Sequence, residues 1–212
     1  MAYIGKKPTD VPLEASDISS TIITGQTALA SEPADTDEFL ISDAGTLKRI
    51  DYSLIKGGGI TVADQFRLTT DLTSNASPIT SNLERIDTSP QGTLGSNMSV
   101  SSGVFTFPST GIYLVSFDAE FNAAGGGGDS IRVDLKSTTD NFSSVDTVIA
   151  KTRVGMSTTR SFFARCQSLV DVTDVSNIKV KFVLSSMDST TTLEGDTAEN
   201  LTTFTFIRLG AT

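Results

Sequence analysis

The chain has 212 residues, 38% of them hydrophobic, which is enough for one generous domain or for a domain with an appended module. It contains no His, which excludes Ser-His-Asp and Cys-His catalytic arrangements and removes the commonest zinc ligand. Its net charge of −9, with no Lys/Arg cluster along the sequence, argues against binding to nucleic acid.

Residues 1–59 predict an extended, turn-rich arm that ends in the glycine run at 57–59. Three prolines favour extended segments and turns: Pro8, Pro12 and Pro33. The first seven residues lack the apolar run of a signal peptide, and no stretch approaches the roughly 18 apolar residues that cross a bilayer. We therefore expect a protein that is made in a cytoplasm and is not inserted in a membrane.

One β-hairpin is predicted within the arm, because residues 39–42 and 46–50 flank a turn at 43–45. So small a module buries too little surface to be stable alone, so we expect it to dock on another copy or on a larger assembly. The apolar residues of the hairpin and of the segment after it are the candidate anchor: Phe39, Ile41, Leu47, Ile50 and Tyr52.

From about residue 60 onward, apolar and polar residues alternate in the way that half-buried strands require. The longest run takes alternate positions from Tyr113 to Phe121. Further strands are predicted near 66–72, 100–107, 131–136, 145–154, 160–170, 178–184 and 201–209. Eight or nine short strands separated by turns predict a sandwich, barrel or jelly roll over residues 60–212.

Two strands carry apolar residues on both faces. Phe162 and Phe163 point to opposite sides of one strand, and Phe204 and Phe206 oppose a second set formed by Leu201, Ile207 and Leu209. Such a pattern indicates that the second face is also covered, either by another subunit, by a loop, or through end effects.

Little in the sequence points to chemistry. Cys166 shares its phase with Phe162 and Ala164, where a free cysteine acts as a small hydrophobe, and a lone cysteine excludes an intrachain disulfide. The glycine run at 125–128 is followed by Asp129 and a strand, not by the helix of a phosphate loop. Acidic residues at 35–38 and 188–199 are more typical of a soluble surface than of a catalytic carboxylate pair. We expect no enzyme, cofactor or metal site.

The segment G-V-F-T-F-P-S-T-G-I-Y-L-V-S-F at 103–117 resembles the signature of the C1q/TNF-like jelly-roll superfamily, in which G-x-F-x-x-P runs into x-x-G-x-Y-x-F-x-F. Pro108 ends one strand and Gly111 makes the turn into the next. The resemblance covers about 80–212. It implies an all-β antiparallel jelly-roll sandwich and a homotrimer, with six aromatic residues shared between the core and the trimer interface: Tyr113, Phe117, Phe162, Phe163, Phe204 and Phe206.

Residues 1–8 and 36–50 resemble the N-terminal segments of tail-fibre and other appendage proteins of marine bacteriophages. This implies a virion protein, a short trimeric fibre or spike whose arm attaches to other virion proteins and whose head binds a host surface glycan or protein. The alternatives are a capsid decoration or cement protein, a carboxylate-based polysaccharide depolymerase, and a secreted lectin-like module, which the lack of a signal peptide disfavours.

Three loops are candidates for an exposed tip of the head, at 125–129, 140–144 and 186–200, because loops on a rigid scaffold carry binding function. None of them has the ligand spacing of a twelve-residue calcium loop. The residues selected from them are Gly126, Asp129, Asn141, Asp188, Glu194 and Asp196.

Overall fold

The computed structural model describes residues 25, 27–55, 59–124, 130–155 and 160–212. Across these residues the chain forms thirteen β-strands and one four-residue helix, so the predicted all-β class is confirmed. No helix in the described ranges has the length and apolar character needed to span a membrane. The chain divides into two compact units, Met1–Gly57 and Gly58–Thr212, whereas the predicted boundary lay between residues 59 and 60.

The described part of the first unit is a β-hairpin followed by one helical turn. Strand β1 (Glu38–Asp43) pairs antiparallel with β2 (Thr46–Asp51), and α1 (Tyr52–Ile55) follows. The turn has two residues, one fewer than predicted, and both Ala44 and Gly45 have positive φ, at 49° and 82°. Positive φ at both central positions is the geometry of a type I′ turn, which matches the twist of the flanking strands.

The second unit packs two antiparallel sheets face to face. The first sheet has six strands: β3 (Ala63–Leu68), β4 (Leu83–Arg85), β7 (Gly111–Ala123), β10 (Arg160–Val172), β12 (Thr191–Leu193) and β13 (Thr203–Gly210). The second has five: β5 (Ser99–Ser101), β6 (Val104–Thr106), β8 (Ile131–Thr138), β9 (Thr147–Val154) and β11 (Lys179–Ser185). The order across the first is β10-β7-β13-β3-β4, with β12 beside the end of β7, and across the second it is β5-β6-β11-β8-β9.

The core lies between the two sheets. The alternate residues of β7 from Tyr113 to Phe121 are all buried, as the alternation predicted. Phenylalanine rings fill the centre, with centroids 4.7 Å apart for Phe182 and Phe204 and 5.0 Å apart for Phe105 and Phe206. Aromatic pairs at these spacings contribute about 0.5–1.5 kcal/mol each beyond the burial of their area.

Some charged residues at strand positions that face away from the core are buried, most completely Arg67 and Asp134. Arg67 is 1% exposed. Its Nε donates to Glu84 Oε2 at 3.0 Å and its Nη1 donates to Thr88 Oγ1 at 2.9 Å. Asp134 is 0% exposed. Arg132 donates from Nε to both of its oxygens, at 2.6 and 2.8 Å. The faces predicted to be wet are therefore covered at these two points, and partner groups compensate the buried charge.

The segment 186–200, predicted as one long loop, contains β12. Leu193 in this strand is 0% exposed, and its backbone exchanges hydrogen bonds with Leu72 at 2.8 and 2.9 Å. Part of the predicted tip loop is thus a piece of the first sheet.

Candidate functional site

Four of the six aromatic candidates lie inside the core of a single protomer. Tyr113, Phe117, Phe204 and Phe206 are each 0% exposed. Phe117 and Phe204 stack with centroids 4.9 Å apart, and the Tyr113 hydroxyl donates to the carbonyl of Ser109 at 3.0 Å. Because no part of these side chains reaches the surface, they do not form a contact between copies.

The other two aromatic candidates lie on β10 and point in opposite directions. Phe162 is half-buried and stacks on Phe121 with centroids 5.1 Å apart. Phe163 faces away from the core and is 51% exposed. Of the six predicted residues, Phe163 is the one that presents a large surface to another molecule.

Around Phe163, the surface of the first sheet that faces away from the core is concave, with a depression of about 450 Å³. Its apolar lining comes from three neighbouring strands and from the residues that precede β13: Leu114, Phe163, Leu201 and Ile207. Leu169 lies directly opposite Leu114 across β7 and β10 and is 61% exposed. This surface is called the concave face.

Several polar side chains on the concave face are paired with one another. Asp118 is 8% exposed, forms an ion pair with Arg165, and accepts a hydrogen bond from Ser116 Oγ at 3.2 Å. Gln65 Nε2 donates to Thr205 Oγ1 at 2.6 Å. These groups satisfy each other within one protomer, so the face offers a partner its apolar residues together with Glu120 and Gln167.

Two carboxylates, Asp118 and Glu120, line the depression two residues apart on β7. Hydrolysis of a glycosidic bond requires both carboxyl groups to act on the substrate. The oxygens of Asp118 are engaged by Arg165 and Ser116.

The candidate tip loops lie at opposite ends of the second unit. Asp188 lies where β7 ends, since the amide of Ala124 donates to the carbonyl of Thr190 at 2.9 Å. Strand β8 begins at that end and runs away from it, and Asn141 follows its far end, where its amide donates to the carbonyl of Asn177 at 2.9 Å. The loops therefore do not form one tip. Gly126 and Asp129 lie outside the described residues.

The acidic tip candidates shape their own loops. Asp188 Oδ1 accepts from the amide and the hydroxyl of Thr190, both at 2.8 Å, and these bonds lower the pKa of Asp188. Asp196 Oδ1 accepts from the amides of Ala198 and Glu199 at 2.6 and 2.9 Å, which lowers the pKa of Asp196. Glu194 is half-buried. Within the described ranges, no three acidic, cysteine or histidine side chains are grouped so as to hold a metal ion.

Cys166 is 4% exposed, in the core position that its phase predicted. Burial raises the pKa of its thiol to about 12, so the thiol stays protonated at neutral pH. A protonated, buried thiol is a poor nucleophile, and Cys166 acts as a small apolar side chain.

The candidate anchor residues are all accessible in the first unit. Phe39 and Ile50 are directly opposite each other, and the rings of Phe39 and Tyr52 lie 6.1 Å apart. Ile41 shares their face, while Leu47, 70% exposed, lies on the other face together with a residue that the prediction did not select, Leu40 at 75% exposure. The hairpin therefore presents apolar side chains on both faces and encloses no core of its own.

Sequence reasoning missed Leu114, Leu169 and Arg165 as members of the concave face. Leu114 was visible as an apolar residue out of phase with the buried positions of its strand, and Leu169 shares the phase of Phe163. These residues are close together because β7 pairs with β10, and that pairing could not be predicted from the sequence.

No family model matches this chain, and no curated protein matches it. Solved structures do. A structure of Eiger TNF from S. frugiperda is 13% identical, with a TM-score of 0.50, covering 73% of this chain and 96% of that one. Structures of murine APRIL at pH 5.0 and pH 8.0 are each 9% identical, with TM-scores of 0.49 and 0.47, covering 70% of this chain and 98% of theirs. The match to Eiger TNF shows the fold: the second unit is an antiparallel, TNF-like jelly-roll sandwich, as the segment 103–117 predicted.

Proposed function

We propose that this protein is a structural component of a bacteriophage virion, a short homotrimeric fibre or spike that displays its jelly-roll head for attachment to the host surface. Self-association through the concave face is the central part of the proposal. The observation that carries it is the exposure of Phe163 and Leu169, at 51% and 61%, on a strand whose other face is built into the core.

The chemistry of the concave face favours a second copy of the chain as its occupant. Contiguous apolar side chains on a sheet surface mark contact sites, and the apolar residues here extend over three adjacent strands. Two of the three charged groups that line the depression, Asp118 and Arg165, are already paired within the protomer and need no counter-charge from a partner, and the third is Glu120. A threefold ring closes when one patch meets a different patch of the next copy, which the C1q/TNF-like resemblance also implies.

The arm supports the virion part of the proposal. Residues 1–8 and 36–50 resemble the N-terminal segments of phage appendage proteins. A two-stranded hairpin with apolar residues on both faces is at best marginally stable in water, so it needs a partner to cover it. Other virion proteins would provide that cover, and Phe39, Ile41, Leu47, Ile50 and Tyr52 would make the contact.

Light scattering on the full chain tests self-association. The wild-type protein is expected at about three times the 22.4 kDa chain mass. The double variant Phe163→Asp/Leu169→Asp places two charges on the concave face and is expected to shift the mass to that of one chain. The matched control, Ser99→Asp/Ser101→Asp, adds the same charge at exposed positions of the second sheet and should remain trimeric. A wild-type mass of one or two chains, or an equal effect of the control, would overturn the trimer.

Antibody labelling of the phage particles that encode this chain tests the virion role. Label at the tail or at a projecting fibre supports the proposal. Label spread over the shell supports the decoration alternative, and particles without label contradict both. Release of sugars from a host polysaccharide by the purified chain would instead support the depolymerase.

A further inference from the structure

Six of the sixteen lysines and arginines of the chain lie on one surface of the second sheet. Three adjacent strands provide two each: Arg132 and Lys136 on β8, Lys151 and Arg153 on β9, and Lys179 and Lys181 on β11. Directly opposite residues of antiparallel strands share a face, and the register pairs Arg132 with Arg153 and Lys136 with Lys181. This surface is called the basic face. It points away from the core, because Val133 and Leu135, which alternate with its residues along β8, are core residues.

The basic face corrects an expectation drawn from the sequence, which shows no cluster of cations. Each strand contributes its two cations at alternate positions, so no run of Lys and Arg appears along the chain. The antiparallel pairing of β11, β8 and β9 then brings the three short sets together.

Internal carboxylates neutralise only part of this charge. The buried carboxylate of Asp134 is bound by Arg132. Asp146 is shared by Lys136 and Lys181, at 3.4 and 2.9 Å. Burial opposes ionisation of Asp146, but the hydrogen bond and the charge of Lys181 hold its pKa below the ordinary value. Two carboxylates thus contact three of the six cations, and the face keeps an excess of four positive charges on a chain whose net charge is −9.

Lys151 and Arg153 form the open part of the basic face. Both are exposed, and neither has an ion-pair partner within the described ranges. Their side chains project from the same side of β9, about 7 Å apart along the strand. Adjacent like charges repel one another, so an anionic ligand across the two positions would relieve that repulsion.

We propose that the basic face binds an acidic polysaccharide, one that carries carboxylate or sulfate groups along its chain. Two half-buried hydroxyl side chains lie among the cations on the same surface, with Thr106 directly opposite Lys179 and Ser185 directly opposite Arg132. Cations for the acidic groups and hydroxyls for the sugar hydroxyls are the complementary set for such a polymer. The inference deepens the proposed attachment function and rests on it for the cell-surface setting.

Nucleic acid fits this surface less well. A duplex carries a charge about every 1.7 Å along a stiff rod, so it would extend past the three strands onto a protein surface that is acidic overall. Single strands need aromatic rings on which bases stack. A ring beside the basic face, that of Phe142, is covered by the ammonium group of Lys181, 4.1 Å from its centroid.

The basic face and the concave face belong to opposite sheets of the sandwich. Self-association that joins the concave face of one copy to a patch outside the basic face of the next would leave the basic face open on every copy. Three copies held together would engage one polymer at several points, which raises the overall affinity without any new contact.

Binding of the full chain to immobilised alginate, a polyuronate, tests the inference. We expect binding at 50 mM NaCl that weakens steeply at 300 mM, and no binding to neutral dextran. Lys151→Gln/Arg153→Gln removes the two unpaired cations and is expected to weaken alginate binding about tenfold. The matched control, Lys48→Gln/Arg49→Gln, removes two exposed charges from the hairpin and should bind as the wild type does.

The inference would be overturned by no alginate binding at low salt, by an equal loss in the control variant, or by tighter binding to a short DNA duplex than to alginate. A change in mass by light scattering in the Lys151/Arg153 variant would also overturn it, because it would make this face a contact between copies. Light scattering on the wild type keeps the two proposals distinguishable. A monomer that binds alginate through these cations contradicts the trimer alone, and a trimer that does not bind contradicts the polysaccharide site alone.

Discussion

Asp140 stabilises the loop that joins β8 to β9. Its Oδ2 accepts from the hydroxyl and the amide of Ser144 at 2.6 and 2.9 Å, and its Oδ1 accepts from Thr138 Oγ1 at 2.7 Å. The amide of Val145 donates to both oxygens, at 3.2 and 3.0 Å. These bonds, led by that of Ser144, lower the pKa of Asp140 from 3.8 to about 2. The loop is therefore organised around the ionised carboxylate.

Replacement of Asp140 by Asn is expected to lower Tm at neutral pH. The pKa of the folded state lies below that of the unfolded state, so the contribution of Asp140 is complete above about pH 4 and is lost as the pH falls towards 2. The Tm difference between wild type and variant, measured by calorimetry, should close over that interval. Asp171→Asn, at an exposed carboxylate of β10, serves as the control and should show no such closure. A difference that persists at pH 2 would contradict this role.

At the level of single residues, the sequence predicts which face a side chain takes but not whether that face is covered. Alternation predicts that Arg67 and Asp134 lie on the side of their strands that faces away from the core, and they do. Their burial depends on groups that the alternation does not connect to them, such as Thr88, which follows β4 and accepts from Arg67. The burial of Cys166 was predictable, because a side chain on the core side of its strand is buried whatever groups surround the other side.

The β5–β6 hairpin shows why the segment 103–117 begins with glycine. Ser102 and Gly103 form a two-residue turn with φ of 49° and 77°. A Cβ on Gly103 would lie 2.2 Å from the backbone oxygen of Ile79. That backbone is fixed, because the amide of Ile79 donates to the carbonyl of Phe182 at 2.9 Å. The position therefore requires glycine both for its φ and for the close approach of a second segment.

Gly103→Ala is expected to lower the free energy of unfolding by about 2–4 kcal/mol, the sum of left-handed backbone strain and the displacement of the Ile79 segment. Urea denaturation monitored by circular dichroism measures this loss. Gly92→Ala is the matched control, since no atom lies within 4 Å of its added Cβ, and it should change stability by less than about 0.5 kcal/mol. Equal stability of the two variants would show that the Ile79 segment moves away at no cost.

Among the strands, length decided what the sequence could predict. The thirteen-residue strands β7 and β10 were placed within a few residues, because long alternation identifies both the strand and its buried face. Three-residue strands carry one or two inward side chains, which is too few to define a period. Strand β12 was therefore missed, and the predicted strand at 100–107 proved to be the two strands β5 and β6.

The two surfaces that carry the proposals are properties of the whole jelly roll. Leu114, Phe163 and Ile207 are far apart in the sequence and meet only because β7, β10 and β13 are neighbours in one sheet. Their out-of-phase positions predicted that the second face is covered, but they did not predict which strands form it or that it is concave. The basic face could not be predicted from the sequence, because a charged residue at every second position is also what an ordinary solvent-facing strand shows.

Every buried core residue of the described chain lies between Val62 and Phe206, and no described residue of the first unit is buried. The fragment 60–212 therefore contains a complete core, and its Tm, measured by calorimetry, is expected within about 2 °C of the main transition of the full chain. The peptide 27–55 should show no cooperative transition, because a lone hairpin buries too little apolar surface. A control fragment that stops at residue 200 lacks β13, and with it Phe204 and Phe206, and is expected to be unfolded. If the fragment 60–212 melted more than about 4 °C below the full chain, corresponding to roughly 1 kcal/mol or more, the arm would be part of the stability of the head and not a separate anchoring unit.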